Sequence, residues 1–211
     1  MKHIAWCLLL LCQCALGQDN KSDDIISGNP YLFKDWCDGV VRFSSGRTLN
    51  QFKLKFDCLK NALLLQFNGS AFAAQSKVQE FVMYPKKKDS LLFRLGYPVT
   101  DKTSENTFFQ VLVQDKATLL RLIARTIIEE KQVVATGRAE RRMEAAEYYY
   151  LLQNGTMTLL PDDRTELPTR FADKKEPIAA FISEQQLKMH TPEDFVLVVK
   201  KYNELLSTAN Q

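Results

Sequence analysis

From Tyr31 onward, apolar and polar residues alternate with a period of two. Phe52, Leu54 and Phe56 interleave with Lys53 and Lys55, the pattern of a strand with one wet face. ALLLQF, Asn68-Gly69 and SAFAAQ follow. Asn-Gly supplies both positive φ angles of a type I′ turn, so this stretch predicts a hairpin with Phe67 facing Ser70, Leu65 facing Phe72 and Leu63 facing Ala74. KVQEFVMYP, stopped by Pro85, and then SLLFRLGYPV and NTFFQVLV read as further strands. ATLLRLIARTIIEE suits helix or strand by period alone, and the neighbouring turn arbitrates. With Asp115-Lys116 as a two-residue connection, Val111 faces Leu120 and Phe109 faces Leu122, with Ala124 and Ile128 continuing that face, so a long strand is predicted. GRAERRMEAAE has a helical composition and reads as a short surface helix or a mobile loop.

The stretch AEYYYLLQNGTMTLLP holds a second Asn-Gly turn at Asn154-Gly155. It sets Leu152 opposite Met157 and Tyr150 opposite Leu159, with Tyr148 on the same side, a continuous apolar face. The other face pairs Gln153 with Thr156, Leu151 with Thr158 and Tyr149 with Leu160, which is half wet. Tyr148 and Tyr150 are therefore core residues whose hydroxyls reach an edge or a partner. Tyr149 is the tyrosine left to meet a ligand, and with Trp36 it is a candidate surface contact.

After Pro161 the period becomes helical. Asp173 with Glu176 resembles a capping box ahead of PIAAFISEQQL, and Thr191-Pro192-Glu193-Asp194 supplies an N-cap, a first-turn proline and first-turn acids. Phe195, Val198, Val199, Tyr202, Leu205 and Leu206 recur at helical steps, a packing stripe. The predicted class is α+β: antiparallel hairpins in a meander form a curved sheet or partly open barrel, with two C-terminal helices packed on it.

The N-terminus carries a different signal. MKHIAWCLLLLCQCALG has a cation at Lys2, an apolar stretch over Leu8 to Leu11 and small residues at Ala15 and Gly17, a secretory signal cleaved after Gly17. The apolar run breaks at Gln13, short of the roughly 20 residues that a membrane span needs. Residues 1–17 are thus the expected signal peptide, 18–30 a flexible tether, and 31–211 one β-rich domain whose helical segment covers 162–206. No later run is long and apolar enough to span a bilayer, so no transmembrane segment is expected in the mature chain. A formal charge of +3 gives no long-range field favouring nucleic acid.

Cys7, Cys12 and Cys14 leave with the signal, which makes Cys37 and Cys58 the candidate disulfide in an oxidising compartment. If Phe43 faces Phe52, Cys37 faces Cys58. A tight turn at Ser45-Gly46 instead sets Cys37 opposite Leu54, or Lys55 after a one-residue bulge. Geometry decides between them.

Candidate chemistry is sparse. His190 is the one histidine beyond the signal, and it sits in a connector with no partner of metal-ligand spacing. Neither a Gly-x-Ser-x-Gly elbow nor a phosphate-binding glycine loop occurs. Asp35, Asp38 and Asp57 border the first hairpin and are the acids a carboxylate hydrolase would draw on. The Lys86–Lys88 run has no interleaved aromatics and reads as a solvated loop. Asn68-Gly69-Ser70 and Asn154-Gly155-Thr156 match the glycosylation acceptor, but turn chemistry explains both without a sugar. No catalytic residue, cofactor site or metal site is assigned.

GNPYL, Trp36 with Gly39-Val40, KLKFD with Asn61, Tyr149-Tyr150-Leu151 with Gly155, and a closing helix with Tyr202-Asn203 resemble a group of exported proteins of Gram-negative bacteria, a family of unknown function. Cys37 and Cys58 lie outside that pattern. The resemblance implies a periplasmic or cell-surface location and carries no activity across. The leading expectation is a non-enzymatic binding or interaction module of the cell envelope, its partner an envelope protein. The alternatives are a carrier of an apolar small molecule or lipid, and a carboxylate-dependent hydrolase.

Overall fold

The computed structural model describes residues 26–74, 77–86, 89–129 and 141–208. Its strands are β1 (Ile26–Ser27), β2 (Cys37–Phe43), β3 (Thr48–Leu49), β4 (Lys53–Asp57), β5 (Ala62–Phe67), β6 (Ser70–Ala73), β7 (Val78–Tyr84) and β8 (Leu91–Arg94), then β9 (Phe109–Val113), β10 (Ala117–Glu129), β11 (Arg141–Gln153) and β12 (Thr156–Leu160). A 3-10 segment, Leu167–Lys174, leads into α1 (Lys175–Glu184) and α2 (Pro192–Thr208). The strands form one open, curved sheet in the order β1-β11-β10-β9-β8-β7-β2-β4-β5-β6, with β12 also on β11 and β3 also on β2. Every pairing is antiparallel except that of β1 with β11, so the fold is α+β on a mixed sheet.

The Asn-Gly hairpins have the predicted registers. Asn68 and Asn154 adopt φ of 47° and 51°, and their glycines follow at 81° and 77°, left-handed values that Asn and Gly reach at little cost. Phe67 pairs with Ser70 and Leu65 with Phe72; Leu152 pairs with Met157 and Tyr150 with Leu159. β10 is the long strand predicted, with Val111 opposite Leu120, although a bulge between Leu119 and Leu120 shifts the register next to the turn.

Four expectations are corrected. Residues 137–140 of GRAERRMEAAE lie outside the described residues, but Arg141–Glu147 is neither helix nor loop: β10 pairs β11 residue for residue from Ala117↔Gln153 to Glu129↔Arg141. Hydrogen bonding to a formed neighbour strand overrides a helical composition. Cys37 faces Leu54, the register expected from the tight Ser45-Gly46 turn, so the candidate disulfide with Cys58 is not formed and both cysteines are free and buried. The turn at Ser45-Gly46 closes the hairpin, with Gly46 N donating to Phe43 O (2.9 Å) and Phe43 N to Arg47 O (2.9 Å). Asp173 caps nothing, because the 3-10 segment runs straight into α1, and its carboxylate pairs with Lys174 (2.9 Å). Of the expected tether, 26–30 is built into the sheet: Ile26 pairs with Arg141, and Pro30 O accepts from Cys58 N (2.8 Å). The expected signal peptide, residues 1–17, and residues 18–25 lie outside the described residues.

The α2 start behaves as its sequence suggests. Asp194 N donates to Thr191 Oγ1 (3.3 Å), while Asp194 Oδ2 accepts from His190 N (3.2 Å), and Pro192 occupies the first turn, where its missing N–H costs nothing.

Side chains on one sheet face are buried in two ways. Across β2, β4, β5, β7 and β8 the sheet curls on itself. Phe81 stacks on Phe93 (4.8 Å, 9°), Phe56 lies 4.9 Å from Phe93, and Phe108 meets Phe81 edge-on (5.0 Å). Gly39 permits the curl, because a Cβ there would fall on the Leu54 side chain and the Val82 carbonyl. On β10, β11 and β12 the same face is covered by helices, with Ala117, Leu119, Tyr149, Leu151 and Leu160 under Phe171, Ile178, Phe195 and Val199. The opposite face of β9–β12 holds a smaller cluster of Phe109, Leu120, Leu122 and Tyr150. The segment before β9 reaches it, with Tyr97 edge-on to Phe109 (5.7 Å) and Lys102 Nζ 5.1 Å from the Tyr148 ring.

Candidate polar site at the seam of the sheet

The two buried regions meet at the β9–β10 hairpin, and an asparagine grips each end of it. Asn61, at φ 48° in the turn after β4, donates Nδ2 to Phe108 O (3.1 Å) and accepts from Phe108 N (2.7 Å). Asn203 of α2 does the same to Ala117, donating to its carbonyl (2.8 Å) and accepting from its N–H (2.8 Å). A carboxamide has the donor and acceptor of a peptide unit, so each side chain acts as one residue of an extra strand.

Between the clamps lies a polar strip. On β10 the residues sharing the buried face are Leu119, Arg121 and Ile123, since side chains two apart point the same way. Leu119 is under the helices and Ile123 joins the phenylalanine cluster. Arg121 falls between. Its Nε donates to Glu147 Oε2 (3.0 Å), its Nη2 to Glu147 Oε1, and its Nη1 to Gln110 Oε1 (3.2 Å). Tyr149 Oη donates to Glu147 Oε2 (2.9 Å). Burial pushes the Glu147 carboxyl up, but the hydrogen bonds and charge of Arg121 and the Tyr149 hydroxyl outweigh it and leave it below its ordinary value. Burial, with the neighbouring carboxylate, raises the Tyr149 phenol well above its ordinary range. Both carboxylate oxygens of Glu147 are thus committed, and the guanidinium charge is matched.

A cleft of about 630 Å³ opens over this strip, within the 300–1,000 Å³ common for ligand sites. It is lined by apolar Leu32, Phe33, Leu91, Leu112 and Pro192 and by polar Asp89, Ser90, Gln110, Arg121 and Glu193, the polar groups making up the larger part of its surface. A second cavity, about 430 Å³, lies along Glu147, Tyr149, Leu160, Asp162, His190 and Phe195. The N-terminal turn of α2 borders both.

The residues singled out from sequence are dispersed. Tyr149 is a correction: it is 8 % exposed, and its ring stacks face to face on Phe195 (3.9 Å, 7°). The face read as half wet is the one the helices cover. Tyr150 is buried as expected, while Tyr148 is half-buried. Trp36 is half-buried with its ring 5.0 Å from Lys55 Nζ, which also faces Tyr31 (4.9 Å) and donates to Lys34 O (2.8 Å). That arrangement ties the segment before β2 to β4.

Cys37 and Cys58 are held as thiols, burial raising both, Cys58 up to about 11, which makes them poor nucleophiles. Asp57 is buried and accepts from Leu59 N (2.9 Å) and Lys60 N (3.0 Å), a turn-forming role, whereas Asp38 pairs with Lys53 (2.5 Å) on the surface. His190 is exposed at the second cavity. Among the described residues no group of three or more His, Cys, Asp or Glu is placed to hold a metal, and no helix is long and apolar enough to cross a membrane.

Gln110, Arg121 and Glu147 were not singled out from sequence. The signal that could have found them is Arg121 standing between Leu119 and Ile123 at strand spacing, a charge on a face otherwise apolar. No protein-family model, curated protein or solved structure matches the chain.

Proposed function

We propose that this chain is an exported, non-enzymatic module that binds another component of the bacterial cell envelope, in the periplasm or at the cell surface. One observation carries the reading. The strongest charged groups of the seam are spent on one another, Glu147 holding Arg121 and Tyr149, while a cleft with mixed polar and apolar lining stands open beside them. A general base works best with a pKa near the working pH, and Glu147 is a weak one, because the hydrogen bonds and charge of Arg121 and the Tyr149 hydroxyl outweigh burial and hold it below its ordinary value. Such a surface recognises rather than reacts. The N-terminal signal and the resemblance to exported Gram-negative proteins supply the compartment.

The test is capture from the envelope of cells producing the tagged protein at its native level. The expected result is one protein partner recovered repeatedly, together with a mature N-terminus at Gln18. A monodisperse protein that repeatedly recovers no partner contradicts the reading.

A carrier of an apolar ligand is the second reading, favoured by the apolar part of the cleft lining, Leu32, Phe33, Leu91 and Leu112. It has less support, since the interior of the curled sheet is filled ring against ring by Phe56, Phe81, Phe93 and Phe108. Lipid or fatty acid in mass spectra of gently extracted protein would favour it.

A further inference from the structure

β11 is paired with β10 along its whole length, but its other edge is occupied only near the ends, where β1 lies on Arg141 and Arg142 and β12 on Tyr149 to Gln153. Main-chain groups alternate between the two sides of a strand, and two bonds fix which residues face the gap. Asn203 takes the N–H and the carbonyl of Ala117, so the pair Ala117↔Gln153 is not hydrogen-bonded, and the even-numbered residues of β11 are the ones joined to β10. At the far end Ser27 Oγ donates to Arg141 O (3.3 Å), in the same phase. The N–H and C=O of Ala145 and Glu147 therefore point out between β1 and β12. Both residues are exposed, and no described strand pairs with them on that side.

The cavity of about 430 Å³ opens at the same place, where β12 ends beside Tyr149. Tyr148, Leu159 and Phe195 are among its apolar lining, which makes up the larger part of its surface. Glu147, Asp162 and His190 are its charged or titratable side chains. Glu147 is matched by Arg121, whereas Asp162 is exposed and has no ion-pair partner among the described residues.

We infer that the gap takes an extended segment of the partner protein, which pairs its main chain with Ala145 and Glu147, sets an apolar side chain into the cavity and turns a basic one toward Asp162. This rests on the reading of the chain as a binding module and names how its partner is held. Alternating donors and acceptors along a sheet edge are matched by another strand; an acyl chain would leave them unpaired. The described ends of the chain do not lead into the gap. β1 runs parallel to β11 and ends on Arg142, after which the chain turns away to Pro30 and its bond with Cys58 N. Thr208 lies by Asp115, at the Gln153 end of β11, eight residues or about 26 Å of strand from Ala145. The three residues after Thr208 span about 10 Å at most. In a second copy the same edge is recessed between its own β1 and β12, so gap cannot pair with gap.

The experiment pans a library of random linear peptides on the protein recovered after export, in parallel with Ala145→Pro. Proline there removes an outward N–H and no bond to β10, so the sheet is kept. The unaltered protein is expected to enrich peptides that combine an apolar and a basic residue. Their affinity should fall about tenfold or more in Ala145→Pro and stay within about twofold in Ala145→Ser. Asp162→Asn should narrow the preference for lysine over glutamine in one peptide by roughly threefold. Hydrogen exchange supplies a readout that needs no variant: in the free protein the amides of Ala145 and Glu147 should exchange faster than those of Ala146 and Tyr148, and saturating peptide should slow the first two.

Protection of Ala145 and Glu147 in the free protein overturns the inference. So does a failure to enrich peptides, an acidic consensus, or equal binding to a folded Ala145→Pro. Self-association that Ala145→Pro abolishes would seat a second copy in the gap and overturn it too. Loss of the gap by any of these while an envelope partner is still captured leaves the proposed function standing. Peptides bound at the gap with no partner ever captured do the reverse.

Discussion

Strands β2 to β8 curl until Phe56, Phe81 and Phe93 of one face pack on each other, whereas β10, β11 and β12 keep that face broad and hand it to α1 and α2. The difference follows from the residues. In the curled half a glycine at position 39 lets Leu54 and Val82 approach the β2 backbone, and aromatic rings fill the inside of the bend. In the broad half, two 13-residue strands paired along their whole length leave a flat apolar area that only another layer can bury. Where the two solutions meet, neither layer covers the face, and the chain puts Arg121, Glu147 and Gln110 there. The polar site is a consequence of the seam.

Breaking either layer should have the largest effect. Phe81→Ala in the curled half and Phe195→Ala under the helices remove fully buried rings, and each is expected to cost about 3–5 kcal/mol in urea unfolding. If the halves form one cooperative unit, both variants keep the wild-type dependence on urea. A second transition in one of them would show that the halves unfold separately.

The clamps come next. Asn203→Ala strips both partners from the Ala117 peptide groups in a buried setting, with an expected loss of about 2–3 kcal/mol. Asn61→Ala should cost less, about 1–2 kcal/mol, because that site is only part-buried. Asn61→Gly would lose the same bonds while relieving the positive φ.

The ion pair at the seam gives a smaller, pH-dependent effect. Since the folded carboxyl of Glu147 lies below its ordinary value of 4.5, its stabilisation is fully present above that value and is lost as pH falls through the lower, folded value. Partial exposure on the Glu147 side reduces its size. Glu147→Gln should lower the melting temperature at pH 7 and flatten its dependence on pH in the acid range. An unchanged acid profile would show that the pair does not couple to folding.

Tyr150→Phe should be the mildest change. The Tyr150 hydroxyl is buried with no hydrogen bond among the described residues; its polar neighbour Thr100 is engaged with Thr103 (3.1 Å). Removing it is expected to be neutral or to stabilise by up to about 1 kcal/mol, against a loss for Tyr149→Phe, whose hydroxyl is bonded to Glu147.

Much of this fold is legible in the sequence where a residue's own backbone preference fixes the geometry. Asn68-Gly69 and Asn154-Gly155 set their hairpins to the residue, and Thr191-Pro192 starts α2. What escapes is decided by distant partners. RRMEAAE is helical by composition, and only the presence of β10 beside it makes it a strand. Tyr149 looks half wet because Gln153, Thr156 and Thr158 share its face, yet Phe195 arrives from 46 positions along the chain to cover it. The cysteine pairing turned on which of two turns closes the first hairpin, a choice made by the register that β7 and β4 impose on β2. The site was hidden for the same reason, since Gln110, Arg121 and Glu147 are distributed over three strands and converge only once the sheet is formed.

Amide hydrogen exchange at Phe108 and Ala117 tests most directly whether the β9–β10 hairpin is the seam held from both sides. Both N–H groups should be protected to near the global unfolding limit. Asn203→Ala should speed exchange at Ala117 by about tenfold or more beyond any global loss, sparing Phe108, and Asn61→Ala should do the converse. Rapid exchange of either amide in the unaltered protein would contradict the account.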